Sequence, residues 1–157
     1  MATIGISEIY VSKQPDEVLV THSLGSCIGM TVYDPQARIG GMIHYMLPLS
    51  KIAPDKAMLK PGMFADTGIP TLLRKVFEMG AAKDRLIIKV AGGAKLMDQG
   101  KVFNIGERNY LVLRKILWKN NILISGEDVG EDLSRTMRLE MATGMVTVKS
   151  SRGVIEL

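Results

Sequence analysis

The only cysteine of the chain, Cys27, lies within residues 21–29, a short segment of mostly small and polar residues. His44 follows within folding reach. A single thiol cannot form an internal disulfide, and next to an imidazole it becomes a candidate nucleophile. Most free cysteines are simply buried as small apolar side chains. Here two glycines and two serines surround the thiol, where a core strand would carry branched side chains, and this favours an accessible, reactive sulfur.

Two apolar, β-prone runs carry this pair of residues. The runs are residues 28–33 and 39–47, and residues 34–38 separate them. The connection begins with Asp34-Pro35, which is typical of a type I turn. We therefore predict a β-hairpin whose first strand follows the cysteine and whose second strand contains the histidine.

The register of this hairpin decides whether the two side chains meet. If Asp34 pairs with Ala37, Cys27 lies directly opposite His44, with Cβ atoms ~5 Å apart, and the imidazole could accept the thiol proton. An extra bulge residue in the turn would put the two side chains on opposite faces. A second irregularity in the ladder would bring the side chains of Cys27 and His44 back to one face. Residues 40–41 are suited to such an irregularity because both are glycine.

Length and composition indicate the class of protein. The 157 residues suit one domain, 1–157, and 46% apolar with 23% charged residues is typical of a soluble globular protein. Residues 1–8 lack the basic and apolar regions of a signal peptide. Residues 18–33 carry no formal charge but contain His, Ser and Gly, so they are a poor membrane span. We expect a cytoplasmic protein without membrane insertion, in which a free thiol persists.

Charge and the remaining motifs argue against several classes of ligand. The net charge is +4, but the basic side chains are dispersed along the chain and only 5% of residues are aromatic. We therefore expect no nucleic-acid binding. An acidic protein partner is compatible with the positive net charge. Residues 91–95 lack the Walker spacing and are interpreted as a tight turn. Residues 126–132 hold four carboxylates without the calcium-loop pattern and are interpreted as a solvated acidic loop. With His22, His44 and a single thiol as candidate ligands, we expect no metal and no cofactor.

The remaining pattern predicts a mixture of strands and helices. Strands are predicted at 17–21, 86–90 and 122–125, a second hairpin at 136–141 and 145–149, helices at 67–79 and 104–119, and a proline-rich surface loop at 47–65 that could wall the site. The second helix is expected to bury a mostly apolar stripe of Leu111, Val112, Lys115, Ile116 and Trp118.

Several of these segments together resemble one protein family. They are Leu-Gly-Ser-Cys at 24–27, Tyr-Asp at 33–34, the run from Gly40 to Pro48, Gly-Ala at 80–81, Gly-Gly-Ala at 92–94, Ile-Gly-Glu-Arg-Asn at 105–109 and Asp-Val-Gly at 128–130. In this order they resemble the CheD family of chemoreceptor glutamine deamidases over nearly the whole chain. One departure is Gly130-Glu131, where a Gly-Gly pair would be expected.

The resemblance implies a function, a fold and partners. It implies hydrolysis of selected glutamine side chains on chemotaxis receptors to glutamate, with Cys27 as nucleophile, His44 as base and Thr21 completing a triad. It also implies an α+β fold of β-sandwich-like sheets with helices outside, similar to deamidating bacterial toxins. The expected partners are cytoplasmic helices of the receptors, as substrate, and the CheC-type phosphatase, whose activity the family enhances. We expect the chain alone to be a monomer.

The residues next to the thiol suggest how a tetrahedral oxyanion would be stabilised. The backbone amides of Ser26 and Cys27 are the nearest donors, with the hydroxyl of Ser26 or Ser23 as further candidates. Glycine at 25 would let this loop bend so that the amides converge. Thr21 would orient the His44 ring through its hydroxyl or its backbone.

Two other classes of function remain open at this stage. The chain could act mainly as a regulatory binding module, for which an exposed apolar patch including Met63 and Phe64 would be a sign. It could also be another thiol acyl-transfer enzyme, a protease or a transglutaminase, which would need an extended cleft or an amine site.

Overall fold

The computed structural model describes residues 1–95 and 104–157, and within these ranges ten strands form two five-stranded sheets. The strands are β1 (Ala2–Thr3), β2 (Ile9–Ser12), β3 (Val18–Leu24), β4 (Ile28–Asp34), β5 (Ile39–Tyr45), β6 (Ile87–Gly92), β7 (Ile124–Val129), β8 (Arg135–Glu140), β9 (Val146–Ser150) and β10 (Gly153–Glu156). The α-helices are α1 (Pro54–Leu59), α2 (Ala65–Met79) and α3 (Ile105–Lys119).

The two sheets lie face to face. The central sheet has the order β2-β5-β4-β6-β7, and the outer sheet has the order β1-β3-β8-β9-β10. Helices α2 and α3 cover the far side of the central sheet. Because both of its faces are covered, every residue of β4 and β5 is buried.

Alternation along β4 separates two apolar layers. Ile28, Met30 and Val32 pack with α2 and α3, whereas Tyr33 packs with Met42 and side chains of the outer sheet. The molecule therefore consists of a helical layer, the central sheet and the outer sheet. The predicted α+β fold, with sandwiched sheets and outer helices, is confirmed.

The hairpin of β4 and β5 is confirmed, but its predicted register is wrong by two residues. Asp34 pairs with Ile39 rather than Ala37, so Gly29 lies directly opposite His44. The connection holds four residues and closes with Arg38 at a positive φ of 56°. A shift of two residues preserves the face on which each side chain lies, because the side-chain period of a strand is two.

Asp34 anchors this turn. Its carboxylate accepts hydrogen bonds from the amides of Gln36, Ala37 and Ala82 and from Arg85, which lies 2.9 Å away as an ion pair. Burial alone would raise the pKa of Asp34, but these donors outweigh it and hold the pKa well below the usual range. The turn is thus fixed to the segment that leads from α2 into β6.

The segment 47–65 is more regular than the predicted surface loop. It contains 3-10 turns at Ser50–Ile52 and Pro61–Met63 on either side of α1. Phe64 is fully buried, so it does not belong to an exposed apolar patch of the kind that would have been a sign of a binding module. Pro54 begins α1 and Pro61 begins the second 3-10 turn, a position that tolerates the missing amide hydrogen.

Helix α3 is confirmed, but its predicted buried stripe is only partly correct, because Val112 and Ile116 pack against the core whereas Leu111, Lys115 and Trp118 are exposed. The buried residues are Gly106, Asn109, Leu113 and Leu117, whereas Trp118 is 78% exposed. The apolar pattern is misleading here because two of the four buried positions hold glycine and asparagine. None of the helices in the two described ranges is long and apolar enough to cross a membrane.

The prediction of a solvated acidic loop at 126–132 is also wrong. Its first four residues belong to β7, and Asp128 accepts a hydrogen bond at 3.0 Å from the fully buried Arg135 of β8. Arg152 donates to the same carboxylate at 2.9 Å. Arg135 also reaches the carbonyl of Gly92 at 3.4 Å, and so ties the outer sheet to the end of β6.

Most of the longer predicted elements are present. The helix at 67–79, the hairpin at 136–149 and the strands at 17–21 and 86–90 correspond to α2, β8 with β9, β3 and β6. The strand predicted at 122–125 begins later and extends as β7. The sequence patterns do not predict β1, β2 or β10, which have two to four residues each and lack a clear alternation.

Candidate active site

His44 and Thr21 meet between the two sheets. His44 lies on β5 of the central sheet and Thr21 on β3 of the outer sheet, and both side chains are buried. The Thr21 hydroxyl oxygen is 2.7 Å from Nδ1 of His44. This is a direct polar contact across an otherwise largely apolar layer.

A second contact of Thr21 determines the tautomer of the imidazole. The Thr21 hydroxyl donates its hydrogen to the backbone carbonyl of Ile4, with a separation of 2.7 Å. A hydroxyl has one hydrogen, and a carbonyl can only accept. The contact with His44 must therefore run in the opposite direction, from the Nδ1 hydrogen to the Thr21 oxygen. This leaves the lone pair on Nε2.

Nε2 of His44 is free to act as a base. It is buried and has no hydrogen-bond partner among residues 1–95 and 104–157. Burial lowers the pKa of His44 to about 4, so the ring is neutral at pH 7. A neutral imidazole with an unoccupied Nε2 lone pair is the form that a general base requires.

The N-terminal segment holds the backbone of His44. Its amide donates to the carbonyl of Glu8 at 3.2 Å, and its carbonyl accepts from Ser7 at 2.7 Å. Ile4, which fixes the tautomer, lies in the same segment and bonds through its amide to Val20 at 2.7 Å. Sequence patterns missed this support, because β1 and β2 are too short to produce a periodic signal.

Cys27 lies on the same side of the central sheet as His44. The ladder places Gly29 opposite His44, and Cys27 lies two residues before Gly29. Cys27 itself precedes β4, and if the alternation of β4 extends to it, Cys27 is diagonal to His44, a relation with typical Cβ separations of about 7 Å. Cys27 is half-buried and packs against the layer between the sheets. An imidazole and a thiol together can span such a gap.

The thiol is protonated in the resting protein. Burial raises the pKa of Cys27 above its usual range, and its own backbone amide offsets part of that rise. With His44 neutral, the resting pair is therefore an uncharged thiol and an uncharged imidazole.

Three successive carbonyls of the cysteine loop are each held by a donor from elsewhere. Gly25 accepts from the amide of Ala94 at 2.8 Å, and Cys27 accepts from the amide of Gly93 at 2.9 Å. Between them, Ser26 accepts from the side-chain amide of Asn109 at 2.9 Å. The loop is thus fixed through its carbonyls, and within the described ranges the amides of Ser26 and Cys27 donate to no protein group.

The segment 91–95 contributes to this support. Gly92 has φ of +108°, and a Cβ there would overlap the carbonyl oxygen of Cys27. The predicted tight turn is wrong, because residues 91 and 92 end β6 and residues 93–95 contain no hydrogen-bonded turn. The segment braces the cysteine loop instead. Sequence reasoning missed this role, since the contact joins segments more than sixty residues apart.

The serines near the thiol are placed differently from each other. Ser23 is exposed, with a positive φ of 59°, at the irregularity where the register of β3 shifts before Leu24. Ser26 lies in the half-buried part of the loop. Neither hydroxyl makes a hydrogen bond within the ranges that the structure describes. In those same ranges no group of three His, Cys, Asp or Glu side chains could hold a metal ion.

Comparison with known proteins gives consistent results. The profile of the family described as CheD chemotactic sensory transduction matches residues 46–150. A protein of Syntrophus aciditrophicus (strain SB) named probable chemoreceptor glutamine deamidase CheD 1 is 51% identical over 150 residues, covering 96% of this chain and 94% of that protein. A protein of Solibacter usitatus (strain Ellin6076) with the name probable chemoreceptor glutamine deamidase CheD is 53% identical over 148 residues, covering 94% and 88%. At this similarity over almost its full length, the chain belongs to the CheD family.

Proposed function

We propose that this chain hydrolyses the side-chain amide of selected glutamines in chemotaxis receptors to glutamate and ammonia. In this reaction Cys27 is the nucleophile, His44 the general base and acid, and Thr21 the residue that orients His44. One observation carries the proposal: the Thr21 contacts leave the free lone pair of a neutral imidazole on Nε2, on the same face as a half-buried thiol. The names of the relatives support the substrate class.

The first half of the reaction forms a thioester. His44 Nε2 accepts the thiol proton as the Cys27 sulfur attacks Cδ of the glutamine side chain, and the carbonyl π electrons move onto oxygen. The tetrahedral intermediate collapses when His44 returns that proton to the departing nitrogen. The carbon–nitrogen bond breaks, ammonia leaves, and a thioester joins Cys27 to the substrate.

The second half regenerates the enzyme. Water attacks the thioester carbon while His44 Nε2 accepts a proton from it. Collapse of this second intermediate breaks the carbon–sulfur bond, and the proton on His44 returns to the sulfur. The product is a glutamate side chain on the receptor. Each half passes through an oxyanion, for which the free backbone amides of Ser26 and Cys27 are the proposed donors.

The uncharged resting pair suits an amide substrate. A carboxamide is a poor electrophile, so its attack requires a thiolate, and its departure as ammonia requires a proton. A thiol and a neutral imidazole supply the thiolate and the proton together, because the proton that His44 takes from Cys27 is the one that it delivers to the leaving group. The partial burial that raises the pKa of Cys27 also limits competing reactions of a permanently charged thiolate.

The receptor surface that we propose as substrate is a cytoplasmic helix. The segment that follows His44 exposes Ile52, Met58 and Leu59, the last two at 84% and 85%. Flexible apolar side chains of this kind are suited to a helical partner. They support a docking role for this segment, which follows His44 along the chain.

Receptor fragments provide the direct test. Purified protein should convert target glutamines to glutamate, with a mass gain of about one dalton per site and release of ammonia. Cys27→Ala should lose this activity completely while keeping its circular dichroism spectrum and melting temperature. A protease or a transglutaminase would change the fragment mass far more, and full residual activity in Cys27→Ala would rule out the thiol mechanism.

Replacement of Thr21 tests the control of the tautomer. Thr21→Val keeps the shape of the side chain but removes the acceptor for Nδ1, so we expect kcat to fall about 10²-fold, whereas Thr21→Ser should stay within about threefold of wild type. Thr31→Val is a matched control, because Thr31 is also buried and its hydroxyl has no partner in the described ranges. Equal losses in Thr21→Val and Thr31→Val would contradict the role of Thr21.

The pH dependence follows from the two pKa shifts. The productive form has a neutral imidazole and a protonated thiol, so kcat/KM should fall on the acid side near pH 4, where His44 becomes charged. On the alkaline side it should fall only above the range in which an ordinary cysteine titrates, because burial raises the pKa of Cys27 and ionisation of the free thiol removes the proton that His44 would pass to ammonia. Ammonia release across this range measures both limbs. An acid limb at the ordinary histidine value of ~6.5 would contradict a buried, neutral base.

We also propose that the chain binds and stimulates a CheC-type phosphatase, on the basis of the family resemblance. Size-exclusion chromatography with light scattering tests this, with the chain expected to elute alone as a monomer and to co-elute with the phosphatase when mixed. Phosphatase rate should rise in the mixture. Separate elution, or an unchanged rate, would exclude this partner without affecting the deamidase proposal.

A further inference from the structure

Asn109 is a polar side chain in the buried face of α3. It is fully buried, and it lies in the segment 105–109, to which sequence reasoning gave no role. Its side-chain amide has two hydrogens and uses both: one goes to the carbonyl of Ser26 and the other to the carbonyl of Met46, each at 2.9 Å. The amide oxygen has no partner among the described residues.

The two carbonyls that Asn109 holds belong to the two reacting segments. Ser26 immediately precedes Cys27, and Met46 follows His44 by two residues. One side chain therefore bridges the loop of the nucleophile and the end of the strand that carries the base. The bridge is rigid, because the Tyr45 hydroxyl also donates to the backbone carbonyl of Asn109 at 2.7 Å.

The hydrogen bond to Ser26 also sets the direction of the next amide. The carbonyl of Ser26 and the amide of Cys27 belong to one planar trans peptide, in which they point in opposite directions. When Asn109 holds the carbonyl toward α3, the Cys27 amide must point away from α3. That amide donates to no backbone carbonyl in the described part of the chain, and it belongs to the same residue as the sulfur. It is the amide best placed to meet an oxyanion on the carbon that the sulfur attacks.

We propose that Asn109 is a positioning residue for deamidation, which holds the Ser26–Cys27 peptide so that the Cys27 amide stabilises the oxyanion. The inference rests on the proposed function for its reaction, and on the contacts of Asn109 for its geometry. A carboxamide suits the task because it supplies two donors in a fixed fork without charge. A lysine or arginine would place a cation beside the thiol and the imidazole and would change their protonation.

Two substitutions of Asn109 separate loss of the donor from loss of volume. Asn109→Ala removes the side-chain amide that donates both hydrogen bonds. Asn109→Asp keeps the shape of the side chain but replaces the donor nitrogen with an acceptor oxygen. For whichever variants fold, we expect kcat for ammonia release from receptor fragments to fall about 10²-fold, with KM within about threefold of wild type. Leu113→Ala, one turn along the same buried face, should destabilise the protein and leave kcat within about threefold. An equal loss of kcat in Leu113→Ala would overturn the proposal.

Two measurements without receptor locate the effect in the oxyanion site. Alkylation of Cys27 by iodoacetamide forms no oxyanion, so its rate and its pH profile should change less than about threefold in the Asn109 variants. The Cys27 thiol adds to the carbonyl group of butyraldehyde. Its sulfur bonds to the carbonyl carbon and its hydrogen goes to the carbonyl oxygen, which then lies where the oxyanion would lie. This adduct should weaken about tenfold in the variants, as measured by carbon NMR of the labelled aldehyde.

The outcomes distinguish this inference from the proposed function. If wild type releases no ammonia from receptor fragments, the deamidase proposal fails, and the aldehyde measurement alone decides the role of Asn109. If alkylation falls in parallel with kcat, or if the aldehyde adduct is unchanged, Asn109 does not act through the oxyanion and the inference is wrong.

Discussion

The single hydrogen of the Thr21 hydroxyl is the constraint on which the site depends. Because that hydrogen goes to the carbonyl of Ile4, the imidazole of His44 must donate from Nδ1 and keep its lone pair on Nε2. The arrangement exists only when the two sheets are packed, since Thr21 belongs to one and His44 to the other. Packing of the sandwich is thus the event that gives the imidazole of His44 one defined tautomer with an unpartnered Nε2.

Support for the thiol is organised differently from support for the imidazole. His44 is held within a strand by neighbours on both sides, whereas Cys27 lies in a loop whose carbonyls are held one after another by the segment 93–94 and by α3. Fixing a loop through its carbonyls leaves the amides free, and amides are what an oxyanion needs. The buried link from Arg135 to Asp128 and Gly92 strengthens the same region from the outer sheet.

The sequence allows part of this arrangement to be predicted. Alternation placed Cys27 and His44 on one face even though the register was wrong by two residues, because a shift by an even number keeps the face. The longer elements follow from their apolar periodicity. Thr21 came only from the resemblance, and its partner Ile4 lies beside a strand of two residues that has no periodicity to detect. Asn109 was hidden because hydrophobic patterns place polar residues at the surface, and its contacts depend on tertiary packing.

The shortness of β1 has a consequence for the dynamics of the protein. A strand of two residues at the edge of a sheet opens with a smaller free energy than the core, so we expect it to fray without global unfolding. If the carbonyl of Ile4 then leaves Thr21, the hydroxyl hydrogen is free to turn toward His44. The imidazole is no longer confined to the tautomer with its hydrogen on Nδ1. Loss of activity on warming should therefore precede loss of the fold, because the end of the chain melts before its core.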